Sequence, residues 1–340
     1  MSKSNWQNLS ALVIGFGSIG RRHARILGEI GLSDIRVCDL SPELLAQARD
    51  EFGVRRTFTS LEVGLASRPD TVFICSPTAL HVEQAVQSMR AGAHVFAEKP
   101  LSTSTDGVAE MESLARDLGR TVMVGHCFRF HEGLRRAKGW LDEGRIGRLI
   151  SVRASVGEYI PDVMPNYRSM YISKYNGAYE LMHDIDLAVW YAAQRPFGVF
   201  GIDGRYSDVG MESPDLVEML IRFENRCVAN VHLDFFQRVR RRQIELLGAE
   251  GTIIVEFASW DRCRLSVYES RTGEWRHEEM PTDRDDMFRA EDLAFLESVA
   301  DSLPVPVTIA DGLLAVQVMN AAQESASTGM AVELDSVPDG

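Results

Sequence analysis

A glycine-rich stretch near the start of the chain, GFGSIG at 15–20, could hold the phosphates of a dinucleotide. It follows the apolar run 11–14 and leads into a helical pattern over 20–30, so the order is strand, glycine turn, helix. The first glycine permits a tight turn, the second lets the backbone approach a pyrophosphate, and the third lets helix and strand pack closely. The phosphates would meet free N–H groups at the positive end of the helix. A structural glycine turn without a cofactor is the alternative.

An acidic residue, Asp39, follows the second predicted strand, 35–38. Its distance from the glycines is close to that of a ribose-binding acid. A carboxylate there accepts a hydrogen bond from the ribose 2′-hydroxyl and repels a 2′-phosphate. Because no arginine directly follows Asp39, the sequence predicts NAD as the cofactor in preference to NADP.

A lysine stands at the end of another predicted strand. Strand 94–97 is followed by the tripeptide 98–100, whose central residue is Lys99. Ligands of doubly wound sheets bind beyond the carboxyl ends of the strands, so Lys99 is expected beside the cofactor. A partly desolvated lysine there could donate to an alkoxide or relay a proton. A surface lysine before a proline stop explains the same residues, and position alone favours neither interpretation.

A histidine and two carboxylates share a helical spacing within 176–191. Glu180, His183 and Asp184 fall at i, i+3 and i+4, which places them on one face of a predicted helix. A carboxylate can orient an imidazole and raise its basicity, and histidine is the commonest general base. The residues alone favour the alternative, a solvated polar face or a core histidine. We predict no metal site, because no second His/Cys cluster supplies further ligands.

The elements that would position these residues alternate between strand and helix over 11–124. Short apolar strands alternating with amphipathic helices predict a parallel, doubly wound sheet. The predicted strands are 11–14, 35–38, 71–75, 94–97 and 121–124, and the predicted helices are 20–30, 42–52, 79–91 and 104–118. Three stretches directly follow predicted strands and are therefore expected near a ligand. They are 76–78 with His81, 98–100, and 125–126.

The pattern changes after residue 125. A helix is predicted over 131–143, a strand over 149–156, and two closing helices over 286–302 and 310–327. Residues 199–280 read mostly as β, with runs at 215–223, 227–236, 243–247 and 252–257. Because no regular helices intervene, this sheet is predicted to be antiparallel.

Length and composition limit the class of protein. The chain has 340 residues, enough for two domains with cores of their own. A net charge of −13 opposes a nucleic-acid partner, despite the basic cluster at 238–242. The five cysteines lack CxxC spacing and predict buried free thiols in a reducing compartment. Without a recognisable signal peptide or membrane span, a cytoplasmic protein is predicted.

Five motifs, in this order, resemble the Gfo/Idh/MocA oxidoreductases, a family named for glucose–fructose oxidoreductase and inositol dehydrogenase. They are GFGSIG (15–20), SPTALH (76–81), EKPLS (98–102), GHCFRFH (125–131) and GAYELMHDID (177–186). The resemblance covers nearly the whole chain and implies an α/β fold with two domains. An NAD(P)-binding Rossmann domain with a doubly wound parallel sheet is expected over 1–125. A substrate-binding α/β domain, whose open, mostly antiparallel sheet often forms a dimer interface, is expected over 126–340.

The resemblance also implies NAD(P)-dependent oxidation or reduction of a sugar, cyclitol or sugar nucleotide. Lys99 and His183 match the family's catalytic lysine and histidine. His183 would take the hydroxyl proton, Lys99 would stabilise the alkoxide, and Glu180, where many members carry an aspartate nearby, would hold His183. The expected cofactor-binding residues are Gly15, Gly17, Ser18, Ile19, Gly20, Asp39, Ser76, Pro77, Thr78, His81, Glu98 and Lys99. The expected substrate residues are His126, Arg129, Tyr159, Arg168, Tyr171 and His183.

Other functions stay open at this point. Some members of this fold cleave glycosides through a transient oxidation, with no net change of NAD. A non-catalytic, dinucleotide-binding sugar sensor is a further alternative, against which the retention of Lys99 and His183 argues. The arginines of 238–242 could meet the diphosphate of a sugar nucleotide, although a solvated strand end is the favoured explanation. We expect a small-molecule substrate, a homodimer or homotetramer, and neither a nucleic-acid nor a membrane partner.

Overall fold

The structure is a computed structural model that describes residues 5–334, and the chain divides into two compact units. Of the described residues, the first unit comprises 5–130 and 285–316, and the second comprises 131–284 and 317–334. The division predicted from the sequence, at residue 125, differs from this one chiefly in 285–316. That late segment completes the first core, because the ring of Phe295 lies 5.4 Å from that of Phe73 and 5.8 Å from that of Phe96.

The first unit is built on a parallel sheet of six strands in the order β3-β2-β1-β4-β5-β6. The strands are β1 (Ser10–Ile14), β2 (Asp34–Cys38), β3 (Arg56–Phe58), β4 (Thr71–Ile74), β5 (His94–Glu98) and β6 (Val122–Gly125). The predicted doubly wound parallel sheet is confirmed. Strand β3 was not predicted, because it is a three-residue edge strand with no buried residue.

Helices connect these strands. They are α1 (Ser18–Ile30), α2 (Pro42–Phe52), α3 (Leu61–Ala66), α4 (His81–Arg90) and α5 (Val108–Leu118). Ser41 caps α2 by accepting a hydrogen bond from the amide of Leu44 at 3.3 Å. The strand order reverses direction between β1 and β4, which opens a crevice at the carboxyl ends of these two buried strands. The glycine loop leaves β1 at that point.

The second unit is built on a sheet of nine strands in the order β14-β13-β12-β11-β7-β10-β9-β8-β15. The strands are β7 (Leu149–Tyr159), β8 (Pro196–Gly204), β9 (Leu216–Phe223), β10 (Val228–Asp234), β11 (Phe236–Gly248), β12 (Gly251–Glu256), β13 (Arg262–Glu269), β14 (Glu274–Pro281) and β15 (Val332–Glu333). The prediction of a mostly antiparallel sheet is confirmed. Its exception is the pair β7 and β10, which is parallel.

The remaining helices are α6 (Glu132–Asp142), α7 (Ile160–Val163), α8 (His183–Ala192), α9 (Arg284–Asp301) and α10 (Ile309–Thr328). Helix α8 packs on β7 and β10. The prediction of one continuous helix from 176 onward is wrong, because Gly177–Leu181 forms a 3₁₀ turn before α8 begins. Gly177 has φ +53°, which is outside the right-handed α-helical region, and a Cβ there would lie 2.1 Å from the carbonyl oxygen of Pro214, so this position requires glycine. Glu180 and His183 therefore do not share an α-helical face.

The five cysteines are free thiols, as predicted, and four of them are buried. Burial raises the pKa of Cys38 and Cys227 to about 11. These thiols are therefore protonated at neutral pH and poor nucleophiles. Between residues 5 and 334, no helix has both the length and the apolar character that crossing a membrane requires.

Candidate active site

The glycine loop connects β1 to α1 and combines two steric constraints with one open position. Gly15 has φ +85°, and a Cβ there would lie 2.7 Å from the carbonyl oxygen of Cys75. A Cβ at Gly20 would lie 1.9 Å from the carbonyl oxygen of Gly15. By contrast, no atom lies within 4 Å of the Cβ position at Gly17, the N-cap residue of α1. The loop therefore leaves space for a phosphate to reach the N–H groups of Ser18 and its neighbours.

Alanine substitutions at Gly17 and Gly20 separate the binding of the pyrophosphate from the stability of the fold. Gly17→Ala is expected to lower the free energy of unfolding by less than about 1 kcal/mol, because its methyl group meets no atom and only the N-cap preference is lost. It is also expected to weaken NAD binding by about tenfold or more, because the methyl group occupies the path of the pyrophosphate. Gly20→Ala is expected to destabilise the fold itself. Thermal unfolding and calorimetric titration with NAD measure the two effects, and unchanged NAD affinity in Gly17→Ala would contradict the prediction.

Asp39 follows β2, and its carboxylate accepts hydrogen bonds from two backbone amides. Oδ2 lies 2.6 Å from the amide nitrogen of Phe16, inside the glycine loop, and Oδ1 lies 2.8 Å from that of Ser41. The sequence did not predict these contacts, which fix the shape of the loop. Two carboxylate oxygens together accept about four hydrogen bonds, so Asp39 keeps the capacity to bind a ribose hydroxyl.

A buried histidine that the sequence analysis did not single out lies between two carboxylates of the first unit. His23 Nδ1 lies 2.8 Å from Asp292 Oδ1, and Nε2 lies 2.9 Å from Glu98 Oε1. Burial alone would lower the pKa of His23, but the paired carboxylates of Asp292 and Glu98 raise it well above 6.5. At neutral pH, His23 is therefore an imidazolium that ties together α1, β5 and α9.

Lys99 directly follows β5 and is connected to this histidine through its neighbour. The second carboxylate oxygen of Glu98, Oε2, accepts a hydrogen bond from the backbone amide of Lys99 at 3.0 Å. His23 thus holds one oxygen of Glu98, and the other oxygen holds the main chain of Lys99. The Lys99 residue itself is half-buried.

His81 connects the loop after β5 to the loop after β4. Its Nδ1 lies 2.9 Å from the carbonyl oxygen of Pro100, and its Nε2 lies 2.8 Å from that of Ser76. Burial lowers the pKa of His81. Because both ring nitrogens face backbone carbonyls, the geometry favours a positioning role over the direct cofactor contact that the sequence predicted. The Ser76 hydroxyl contacts Gln84 Oε1 at 2.6 Å.

His183 is the first residue of α8, and a buried ion pair fixes the backbone beside it. The carboxylate of Asp184 is fully buried and accepts a hydrogen bond from Arg242 Nη2 on β11. His183 itself is half-buried. In the preceding turn, Glu180 Oε2 accepts a hydrogen bond from Asn176 Nδ2 at 2.8 Å. The residues from 5 to 334 contain no group of three or more His, Cys, Asp or Glu side chains arranged to hold a metal ion.

Two of the predicted substrate residues lie in the first unit and are buried there. His126 is 0% exposed, and Arg129 pairs with Asp311 at 2.9 Å between Nη1 and Oδ1. Burial alone would raise the pKa of Asp311, but the Arg129 guanidinium and the hydrogen bonds from Thr308 lower it. This partly buried ion pair favours a structural role for Arg129 over the substrate contact that the sequence predicted.

The other predicted substrate residues lie in the second unit. The ring of Tyr159 is covered by Arg238, whose guanidinium carbon lies 3.7 Å from the ring centroid. Arg168 donates from Nη2 to the backbone of the 205–210 loop, at Val209 O, over 3.2 Å. Tyr171 is 54% exposed, and its ring lies 4.7 Å from that of Tyr175. Tyr171 is thus available to a ligand, whereas the covered face of the Tyr159 ring is not.

Sequence comparison decides the family. The profile described as "Oxidoreductase family, NAD-binding Rossmann fold" matches residues 9–126, and the profile described as "GFO/IDH/MocA C-terminal domain" matches residues 134–254. The chain belongs to the Gfo/Idh/MocA oxidoreductase family. It is an NAD-binding oxidoreductase, and the resemblance inferred from five motifs is confirmed.

Individual relatives match along most of their length. The 1,5-anhydro-D-fructose reductase of Ensifer adhaerens is 26% identical over 95% of this chain and 98% of its own. The inositol 2-dehydrogenase of Rhizobium meliloti (strain 1021) is 24% identical over 92% and 95%. A crystal structure of scyllo-inositol dehydrogenase from Lactobacillus casei, with bound NAD(H) and scyllo-inositol, has a TM-score of 0.82 at 21% identity. It covers 96% of this chain and 98% of that chain, and it establishes the likeness of fold.

Proposed function

We propose that this oxidoreductase transfers a hydride between NAD and a carbinol carbon of a sugar, cyclitol or sugar nucleotide. The observation that carries the proposal is the open position at Gly17 within a chain whose two domains both match the family. Relatives named inositol 2-dehydrogenase and 1,5-anhydro-D-fructose reductase support a cyclitol or sugar substrate.

The cofactor would be held chiefly by the glycine loop and Asp39. The loop amides and the N-terminus of α1 would bind the pyrophosphate, and the Asp39 carboxylate would bind the ribose. When bound, the nicotinamide supplies the acceptor or the donor of the hydride. The neighbouring residues Ile19, Pro77, Thr78 and Glu98 stay predicted members of this site.

Side chains of the protein would accept the proton of the substrate hydroxyl and stabilise the alkoxide. In the oxidation direction, His183 would take the proton of the substrate hydroxyl, and the Lys99 ammonium group would stabilise the developing alkoxide. The buried pair of Asp184 and Arg242 supports the first role by fixing the start of α8. The hydrogen bond from the Lys99 amide to Glu98 supports the second by fixing the main chain of the lysine. Glu180 is proposed to orient His183.

We propose NAD rather than NADP as the cofactor, because a 2′-phosphate would meet the Asp39 carboxylate. We expect NADP to bind at least about tenfold more weakly than NAD to the wild-type protein. Asp39→Asn should reduce the ratio of the NAD affinity to the NADP affinity. The substitution removes the negative charge and keeps an oxygen that can accept a hydrogen bond from the loop amide. Calorimetric titration with each nucleotide measures the ratio, and equal affinities in the wild-type protein would contradict the proposal.

A homodimer or homotetramer is proposed as the assembled form. The outer face of the nine-stranded sheet carries exposed apolar side chains, including the cross-strand pair Phe200 and Leu220, which are 37% and 51% exposed. Light scattering measures the mass in solution, and the mass of a monomer at micromolar concentration would contradict this proposal.

The proposed activity is tested by NADH formation with a panel of free sugars, inositols, sugar acids and UDP-sugars. Reduction of NAD with one class of substrate, lost in a Lys99→Ala variant, would support the dehydrogenase. Silence across the panel, with NAD binding intact, would contradict it. A chromogenic glycoside would then separate redox-neutral cleavage, which releases the chromophore, from a sensor, which does not.

A further inference from the structure

Three arginines of the second unit lie against two aromatic rings. The guanidinium carbon of Arg238 lies 3.7 Å from the ring centroid of Tyr159. Those of Arg240 and Arg284 lie 4.6 Å and 4.5 Å from the ring centroid of Trp260. We call these five residues the arginine wall. Contacts of this kind orient the planar guanidinium groups over the rings.

The ring contacts of Arg238 and Arg240 leave the N–H edges of these two guanidinium groups available. Each guanidinium has five N–H donors in its plane. Within residues 5–334, neither Arg238 nor Arg240 donates a hydrogen bond to another residue. Arg240 Nε lies 3.3 Å from Glu158 Oε2 as an ion pair, but without the geometry of a hydrogen bond. Because the Arg240 side chain is only 28% exposed, an anion aligned with these edges would satisfy donors that water reaches poorly.

The charges of Arg238 and Arg240, two members of the wall, are only partly balanced. Glu158 is the acidic partner of Arg240, and its own side chain is 11% exposed. Arg238 is exposed and has no ion pair among the described residues. Burial lowers the pKa of the Arg240 guanidinium, which reflects the free energy needed to keep this charge in a half-buried place. In a chain of net charge −13, this concentration of cations is a local exception that an anionic ligand would offset.

The wall is connected to the residue beside the proposed base through Arg242 and Asp184. Arg242 follows Arg240 by two residues on β11, and its charge acts on the Arg240 guanidinium. Arg242 forms the buried ion pair with Asp184, and Asp184 directly follows His183. The charge of Asp184 also acts on Arg240. An anionic group bound at the wall would therefore be one end of a ligand whose other end lies near His183.

We propose that the arginine wall binds an anionic substituent of the substrate, a carboxylate or a phosphate, and so selects acidic sugars over neutral sugars and cyclitols. This inference rests on the proposed function, because it assigns a substrate class to the same site. Arginine matches the geometry of both anions with two parallel N–H donors. A solvated strand end, the alternative, would leave binding indifferent to the charge of the ligand.

The test is calorimetric titration of the NADH-loaded protein with D-glucose, D-glucuronate and D-glucose 6-phosphate. We expect at least one of the two anions to bind about tenfold or more tightly than glucose, and the comparison between them separates carboxylate from phosphate. Arg238→Gln and Arg240→Gln should each weaken binding of that anion by about tenfold and leave glucose binding unchanged. Arg264→Gln, an exposed arginine of β13 outside the wall, is the matched control and should change nothing.

Equal affinities for all three ligands, or equal losses in the control variant, would overturn the proposal. Arg238 is exposed, so Arg238→Gln is expected to fold even if Arg240→Gln does not. Because binding does not require turnover, failure of the anion-binding proposal can be distinguished from failure of the proposed dehydrogenase activity. Arginine-dependent anion binding without NADH formation on any substrate would contradict the dehydrogenase and support the wall. NADH formation from neutral sugars that is unchanged in Arg238→Gln would support the dehydrogenase and contradict the proposal for the arginine wall.

Discussion

Replacement of Lys99 by methionine is expected to lower kcat by about 10²–10⁴-fold while changing the affinity for NAD little. Methionine keeps the length of the side chain but removes the ammonium group that is proposed to stabilise the alkoxide. Replacement of His183 by glutamine is expected to have an effect of the same size, because the variant lacks the proposed base. Steady-state kinetics with the substrate found in the panel measures both effects.

Two controls and one double variant make this prediction specific. Lys138→Met, in α6, and His277→Gln, in β14, change the same residue types at other places and should leave kcat within about twofold. Because the two groups are proposed to act in one step, the Lys99→Met/His183→Gln double variant should be little slower than the slower single variant. A kcat that stays within a few-fold of wild type in either single variant would remove that residue from the mechanism.

Replacement of His23 by alanine is expected to lower the free energy of unfolding by about 3–5 kcal/mol. The change leaves the buried carboxylates of Asp292 and Glu98 without the cation between them. His277→Ala is the matched control, since this exposed histidine contacts Ser266 and stacks on the exposed ring of Trp275, and its loss should cost about 0.5 kcal/mol or less. Urea unfolding of the three proteins gives the differences, and a loss for His23→Ala as small as that of the control would contradict the buried ion triad.

The same variant gives a pH dependence whose sign follows from the raised pKa of His23. A group whose folded pKa exceeds its unfolded value stabilises the protein fully below the unfolded value, which is about 6.5 for histidine. That contribution is lost as the pH rises through the folded pKa. The difference in stability between wild type and His23→Ala should therefore be larger at pH 6 than at pH 10. A difference that stays constant or grows over this range would show that His23 is neutral in the fold.

Much of the fold could be predicted because its signals are local. The glycine loop, the apolar strands of the parallel sheet and the closing helices each lie within a continuous stretch of sequence. The parallel pairing of β7 and β10 could not be predicted in this way, because the sequence of a strand does not specify which other strand it pairs with. The break at Gly177 was also hidden, since its cause is a close approach to Pro214 from a distant part of the chain.

In the candidate site, too, residues in local motifs could be predicted and contacts between residues distant in the sequence could not. Lys99 and His183 could be picked out because each stands in a recognisable local motif. The partners of His23 could not, because Glu98 and Asp292 lie 75 and 269 residues away in the sequence. One signal was present, since His23 falls on the buried stripe of α1 with Ala24 and Leu27. A histidine on an apolar face requires buried partners, although the sequence does not say which ones.

Hydride transfer is tested most directly by following deuterium from the carbinol carbon of the substrate that the panel identifies. With that carbon deuterated, we expect one deuterium per turnover in the NADH, detected by mass spectrometry, and a primary isotope effect if the chemical step limits the rate. In the Lys99→Met variant the same deuterated NADH should form about 10²–10⁴-fold more slowly. Product that accumulates while the NADH carries no deuterium would contradict hydride transfer from the carbinol carbon, and with it the central claim.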